Sequence, residues 1–481
     1  MDSTTVEITQ SFIGGESVAS ADTYDNIDPA TGQALGAVAR AGAEEVDRAV
    51  QAAQAAQPAW NATLPEHRAQ VLTRIADLVD ANAEELARLE SEDTGKPISQ
   101  ARTDATVCAR YFRFYGHAID TYYGETIPLA QDQLVYTRRE PFGVVGSIIA
   151  WNYPMQLLAR AVAAAIATGN ATIVKPADET PRTAVAIARL AVEAGVPAGV
   201  FNVVTGIGAE AGAALTAHPG VAHLGFVGST QIGSAIAHAA ADRVVPTVLE
   251  LGGKSAQIVF PDADLDTAAT FLTKAILQNA GQTCSAGSRL LVHRSIHQEL
   301  LTKVADRFGK VSIGRGSDDP DLGPLVSAKQ QGRVKGMVDA AAAGSGEVVV
   351  GGGMPDDPRL AGGAYFAPTL IDGVDPSSPI AREEVFGPVL ASMTFDTEEE
   401  AVALANGTDY ALLGAIWTKD LSRAHRMAAA IQAGQVYVNT YGAGGGVELP
   451  FGGFKKSGYG REKGVEALDA YTQTKTVIVK L

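Results

Sequence analysis

Val144-Val145-Gly146-Ser147-Ile148-Ile149 is an apolar run rich in β-branched residues, and it gives way at Trp151-Asn152-Tyr153-Pro154 to an alanine-rich helical stretch. With no polar alternation, the run reads as a strand buried on both faces, as in a parallel sheet flanked by helices. The unit then repeats. Ala171-Thr172-Ile173-Val174-Lys175-Pro176 precedes a helix over 183–194, and Phe201-Asn202-Val203-Val204 precedes Gly206-Ile207-Gly208 and a further helix. His223-Leu224-Gly225-Phe226-Val227 precedes a helix over 231–240. Strand, turn and helix in this order predict an α/β fold with a doubly wound, Rossmann-like sheet.

A second α/β pattern begins after Gly252-Gly253, with strands at 256–260, 288–292 and 411–417 and helices at 265–279 and 297–308. Ahead of the first pattern, residues up to about 33 read as loops and turns. Helical periodicity starts at Ala43 and resumes over 68–86. Two segments stand apart. Leu134 to Arg139 alternates like a half-exposed strand, and Lys475 to Lys480 is a strand with no partner nearby in sequence. It is expected to pair with 134–139 or with another subunit.

A chain of 481 residues exceeds what one hydrophobic core serves, so two large lobes are expected. The net charge of −16 argues against a nucleic-acid surface and against anionic membranes. The start carries no basic leader, and the longest apolar stretch, 157–168, holds Arg160 and is too short to span a bilayer. Two cysteines allow at most one disulfide, which fits a reducing compartment, and a cytoplasmic location is the expectation.

One of those cysteines, Cys284, lies in Gly281-Gln282-Thr283-Cys284-Ser285-Ala286-Gly287, a polar, glycine-flanked stretch unlike the apolar surroundings of a packing cysteine. A thiol there can attack a carbonyl and leave a thioester, which a nearby carboxylate can help water to cleave. No histidine falls beside it and none has metal-ligand spacing, so neither a local Cys–His dyad nor a metal site is expected. Asn152, at the end of a buried strand, can donate to a developing oxyanion, or simply make a turn before Pro154.

Three glycine-rich elements compete for a phosphate role. Gly206-x-Gly208-x-x-x-Gly212 misses the dinucleotide spacing by one residue, and Gly252-Gly253-Lys254-Ser255 lacks the first glycine of a P-loop. Gly228-Ser229-Thr230-Gln231-Ile232-Gly233 opens a helix whose N-terminus can hold a pyrophosphate. All three are equally readable as ordinary strand-to-helix turns. Lys175 with Asp178 or Glu179 can meet a ribose, or form a solvated turn with acids at a helix N-terminus. Glu384 and Phe386, in Glu383-Glu384-Val385-Phe386-Gly387-Pro388, can orient a ribose and pack on a cofactor ring, or be a surface acid beside a core aromatic.

Taken in order, these stretches resemble the aldehyde dehydrogenase superfamily, in its NAD(P)-dependent, non-acylating branch. The resemblance runs from about Phe12 to the C-terminus. It rests on Pro141-Phe142-Gly143-Val144-Val145 through Pro154, Lys175-Pro176-Ala177, Phe226-Val227-Gly228-Ser229-Thr230 and Leu249-Glu250-Leu251-Gly252-Gly253-Lys254. It continues through Gly281-Gln282-Thr283-Cys284, Glu383 to Pro388, and Pro450-Phe451-Gly452-Gly453.

The resemblance implies Cys284 as nucleophile, Asn152 and the Cys284 backbone N–H as oxyanion donors, and Glu250 as the base for the hydrolytic water. It implies that the dinucleotide meets Ile149, Trp151, Gly208, Phe226, Gly228, Ile232 and Leu251. Lys175 and Asp178 would hold the adenosine ribose, Ser229 the pyrophosphate, and Glu384 and Phe386 the nicotinamide end. An acid at 178 favours NAD over NADP, without excluding NADP. The substrate pocket would comprise Tyr153, Arg160, Thr283, Ser285 and Phe451.

The implied architecture is a dinucleotide-binding domain (1–118 and 142–252), a catalytic domain (253–455) and a β extension (119–141 with 456–481) joining a homodimer or homotetramer. Arg160 stands where small-aldehyde members carry an aromatic. The segment from Tyr441 to Glu448 is glycine-rich where pocket side chains are usual. Both favour a bulky or aromatic aldehyde with broad tolerance; the alternative is a semialdehyde held through Arg160. A non-catalytic protein and a cofactor-free thioesterase are the rival classes.

Overall fold

The computed structural model describes residues 8–442 and 446–481. The described residues form two large sheets, a three-stranded sheet and two two-stranded pairs. In the first sheet five parallel strands lie in the spatial order Thr247–Glu250, His223–Val227, Val144–Ile148, Ala171–Lys175, Phe201–Val203. Chain order reverses between Val144–Ile148 and His223–Val227, so the crevice beyond their C-terminal ends is a topological switch point, where such sheets bind ligands. Trp151-Asn152 and Gly228-Ser229 follow those two strands.

The opening stretch is more ordered than its composition predicts. Ser11–Ile13 and Glu16–Val18 form a hairpin that extends the first sheet antiparallel to Phe201–Val203. Thr23–Ile27 and Ala34–Ala39 pair with each other. Strands of three to six residues interrupted by glycine carry too little periodicity to separate from turns.

The expected helix over 68–86 is two helices, Pro65–Ala81 and Ala83–Thr94, sharing Asn82 as a junction. The expected strand over 411–417 is also two, Tyr410–Ala411 and Leu413–Trp417, which lie in different sheets.

The helix Pro154–Ala167 explains the alanine-rich run. Only Gln156 among its residues is not buried, so it is a helix enclosed on all sides. Proline sits at its first turn, where no N–H is needed. At the other end the Trp60 indole N–H reaches the Ile166 carbonyl at 2.9 Å and Arg68 Nε reaches the Ala167 carbonyl at 2.8 Å. These satisfy carbonyls that a buried helix end would otherwise leave orphaned.

The second sheet has seven strands, parallel except at the edge Glu347–Val350, with Ala256–Val259 between Arg289–His293 and Leu413–Trp417. The strand Thr472–Lys480 pairs antiparallel with Gln133–Pro141 over nine residues, so the terminal strand finds the partner expected of it within the same chain. Within 456–481, however, Gly458–Tyr459 first pairs with Thr247–Glu250 at the edge of the first sheet. That segment is therefore more than a bridge. Among the described residues no helix is long and apolar enough to cross a membrane.

Candidate active site

A cavity of about 390 Å³ opens where the two sheets meet. Asn152, Glu250 and Cys284 all line it, together with Tyr153, Arg160, Thr283, Ser285 and Phe451 from the expected substrate pocket. Trp151, Gly228, Ser229, Leu251, Glu384 and Phe386 line its other side. Three chemically different groups, separated by 132 positions in the chain, are brought to one volume.

The loop that carries Cys284 is shaped by its backbone. Asn279, Ala280 and Gly281 take φ of 48°, 53° and 72° in succession, a left-handed run that costs energy for residues with a Cβ. Side chains hold it: Gln100 Oε1 accepts the Asn279 N–H at 3.0 Å, and Asn279 Nδ2 donates to the Asn152 carbonyl at 2.8 Å. Buried Gln282 receives the Val326 N–H at 2.9 Å. A Cβ at Gly281 would lie 2.1 Å from the Gly387 carbonyl oxygen, and one at Gly253 would lie 2.2 Å from that of Cys284. Close backbone approach therefore accounts for both glycines.

Burial pushes the Cys284 thiol up to about 12; Arg160 pulls it down, while Glu384 and Glu250 add to the rise. Glu250 ends the strand Thr247–Glu250, and neither carboxylate oxygen has a hydrogen-bond partner. Burial raises it well above the carboxylate range, reinforced by Glu462 and opposed by Arg160. Asn152 is buried, and its Nδ2 donates to the Gln282 carbonyl at 3.0 Å. The amide is thus aimed at the loop that carries Cys284.

Glu384 accepts the Gly253 N–H at 2.9 Å and is pushed by burial to about 7. Phe386 has φ of 58°, and its ring stands edge-on to Trp151 with centroids 5.2 Å apart. Ser229 caps the helix Thr230–Arg243. A Cβ at Gly233 would lie 2.4 Å from Leu251, so this glycine lets the helix close on the strand end, as in dinucleotide folds. Lys175, Asp178 and Gly208 lie outside the cavity as a cluster of their own. Lys175 pairs with Asp178, and the Gly208 N–H donates to Asp178 Oδ1 at 3.0 Å. Ile149 and Phe226 are buried beneath the crevice, and Ile232 is half exposed. The residues present fit a dinucleotide: a helix N-terminus capped by Ser229, and a carboxylate raised by burial, Glu384, beside an aromatic, Phe386.

The fold agrees with what comparison of the chain with known proteins finds. The Aldehyde dehydrogenase family model matches residues 17–477. The chain belongs to the aldehyde dehydrogenase family. A Burkholderia cenocepacia chain named as an aldehyde dehydrogenase is 49% identical, with TM-score 0.96, covering 98% of this chain and 100% of that one. The P. syringae indole-3-acetaldehyde dehydrogenase AldA, a cysteine-to-alanine mutant in complex with NAD+ and IAA, is 42% identical at TM-score 0.96, covering 100% and 98%. An NAD-dependent aldehyde dehydrogenase from Sinorhizobium meliloti is 40% identical at TM-score 0.96, covering 99% and 95%.

Several residues of this aldehyde dehydrogenase site carry no signal in the sequence. Arg333 and Gln330, on the helix Ala328–Ala343, donate to the carbonyls of Glu384, Val385 and Phe386 at 2.6 to 3.2 Å and so fix the Glu384–Phe386 loop. Lys463 lines the cavity with φ of 61°, and burial lowers it to about 7. Arg160 meets Glu462 as a buried ion pair, and its guanidinium lies 4.9 Å from the Phe451 ring centroid. That contact crosses from the helix Pro154–Ala167 to a distant segment of the chain. Of the glycine-rich loop, Ala443 to Gly445 lies outside the described residues. Among those described, no cluster of His, Cys, Asp and Glu is placed to hold a metal ion.

Proposed function

We propose that this aldehyde dehydrogenase oxidises an aldehyde to its carboxylic acid with NAD, using Cys284 as nucleophile. The observation that carries the reading is the convergence of Cys284, Asn152 and Glu250 on one cavity with Glu384 and Phe386. Cys284 Sγ, as the thiolate left when its proton passes to solvent, attacks the aldehyde carbon, giving a thiohemiacetal oxyanion that takes hydrogen bonds from Asn152 Nδ2 and the Cys284 N–H. Collapse of that oxyanion expels a hydride and leaves an acyl-thioester on Cys284. NAD, when bound, supplies the hydride acceptor. Glu250 then takes a proton from water as the water attacks the thioester, releasing the acid and the thiolate. Glu250 has the burial and unpartnered oxygens this step needs.

Support for NAD comes from the relatives in complex with NAD+ and from Asp178, whose charge beside Lys175 repels a 2′-phosphate. Tyr153, Leu157 and Phe451 offer apolar surface beside Cys284, which suits a bulky or aromatic aldehyde of broad range, in line with a relative named for indole-3-acetaldehyde. The semialdehyde reading keeps one support, since Arg160 Nε is buried without a hydrogen-bond partner. Glu462 already balances the charge a substrate carboxylate would seek. Cofactor reduction at the NADH absorbance band, with NAD or NADP and aliphatic, aromatic and carboxylate-bearing aldehydes, tests all of this. Activity lost in Cys284→Ala supports the chemistry. Reduction that persists in that variant would sink it, and a carboxylate-bearing aldehyde preferred only while Arg160 is intact would reverse the substrate reading.

A further inference from the structure

Behind Asn152 lies a charged group that the proposed chemistry does not use. Lys96 is buried, its side chain wholly removed from solvent, in the segment that joins the helices Ala83–Thr94 and Ile98–Ala118. An ammonium has three protons to give, and all three are directed: to Glu90 Oε1 at 2.7 Å, to Asp104 Oδ2 at 2.5 Å and to the Asn152 carbonyl at 3.0 Å. Nζ also lies 4.4 Å from the centroid of the Tyr153 ring.

The two carboxylates reach the same segment with their second oxygens. Glu90 Oε2 accepts the Met155 N–H at 3.0 Å, and Asp104 Oδ1 accepts Gln156 Nε2 at 2.6 Å. Four of the five residues from 152 to 156, all but Pro154, are therefore held from one side by a single buried trio. From the other side Asn279 Nδ2 takes the same Asn152 carbonyl at 2.8 Å. Burying a cation with two carboxylates is no efficient route to stability, since apolar residues of equal volume often do as well. What such a trio supplies is direction: it sets the plane of the Asn152 peptide, and with it where the side-chain amide points.

We infer that Lys96 is a positioning residue for the oxyanion amide, holding Asn152 Nδ2 on the oxygen of the Cys284 adduct through the Asn152 carbonyl. The assignment rests on the proposed oxyanion role of Asn152. Displacing a donor by about 1 Å costs up to about 10²-fold in rate, comparable to deleting it.

The test compares Lys96→Met, Asn152→Ala and the double variant in steady-state NADH formation and in alkylation of Cys284 by iodoacetamide. Lys96→Met is expected to lower kcat about 30- to 100-fold with the KM for NAD nearly unchanged. In the Asn152→Ala background the same change adds less than about threefold, and alkylation, which forms no oxyanion, proceeds at the parent rate. Losses that multiply in the double variant, or a parent kcat in Lys96→Met, overturn the inference alone. A parent kcat in Asn152→Ala overturns the oxyanion reading beneath it. If Lys96→Met does not fold, Asp104→Asn keeps Lys96 on Glu90 and frees only one arm. The same comparison then applies, with a smaller loss that again vanishes in the Asn152→Ala background.

Discussion

Cys284 and Glu250 share a cavity but are prepared differently, and pH separates them. The thiol is held up near 12 by burial, so in the cofactor-free protein it is protonated at neutrality. Its alkylation by iodoacetamide is expected to climb steadily from pH 6 to 9 without a plateau, measured by mass spectrometry. A plateau near pH 7 would mean a thiolate already formed. In the proposed chemistry Glu250 serves as base only when ionised, and its burial raises the pH at which that occurs. Hydrolysis of the thioester therefore gains rate as pH rises through that elevated value and loses it below. Glu250→Gln is expected to flatten this limb and lower turnover on the order of 10²-fold or more, while one equivalent of NADH still forms in a rapid burst. Asn152 was equally readable as a turn and Glu250 entered through the family resemblance, while Cys284 was legible as a candidate because its stretch is polar and glycine-flanked. Lys96, Arg333 and Lys463 were not, because an ordinary basic residue acquires its role from partners supplied by distant segments.

Among the elements, the loop from Asn279 to Cys284 has the least room for change. Gly253 passes so close that a Cβ would strike the Cys284 carbonyl, and the flexible end of a side chain is not what would have to yield. Gly253→Ala is expected to lower kcat at least about tenfold with a Tm shift of only a few degrees, since the loop rather than the sheet gives way. A variant with parent kcat would show the loop to be more compliant than its geometry. The parallel strands and the enclosed alanine-rich helix were readable from apolar runs and their punctuation. Breaks at Asn82 and Leu412 were not, because one residue of junction leaves the surrounding hydrophobic pattern intact. The short strands before Ala43 escaped for a related reason, being ordered by the sheet edge they join and not by their own periodicity.

For the molecule as a whole, the ribbon of Gln133–Pro141 and Thr472–Lys480 leaves Leu134, Ile478 and Val479 substantially exposed. With the proposed assembly as homodimer or homotetramer, a chain ending at Tyr471 is expected to show a smaller mass by light scattering; an unchanged mass would place the subunit contact elsewhere. The division into dinucleotide-binding, catalytic and bridging segments was read from resemblance, and the strand Gly458–Tyr459 illustrates what such a reading misses, since two residues carry no pattern of their own. The site draws Asn152 and Glu250 from the ends of one sheet and Cys284 from the approach to another, joined by the Asn152–Gln282 hydrogen bond. Neither sheet carries all three of these residues. Turnover thereby doubles as a gauge of how the halves are seated: mild urea should silence the enzyme while its far-ultraviolet circular dichroism is still that of the native protein.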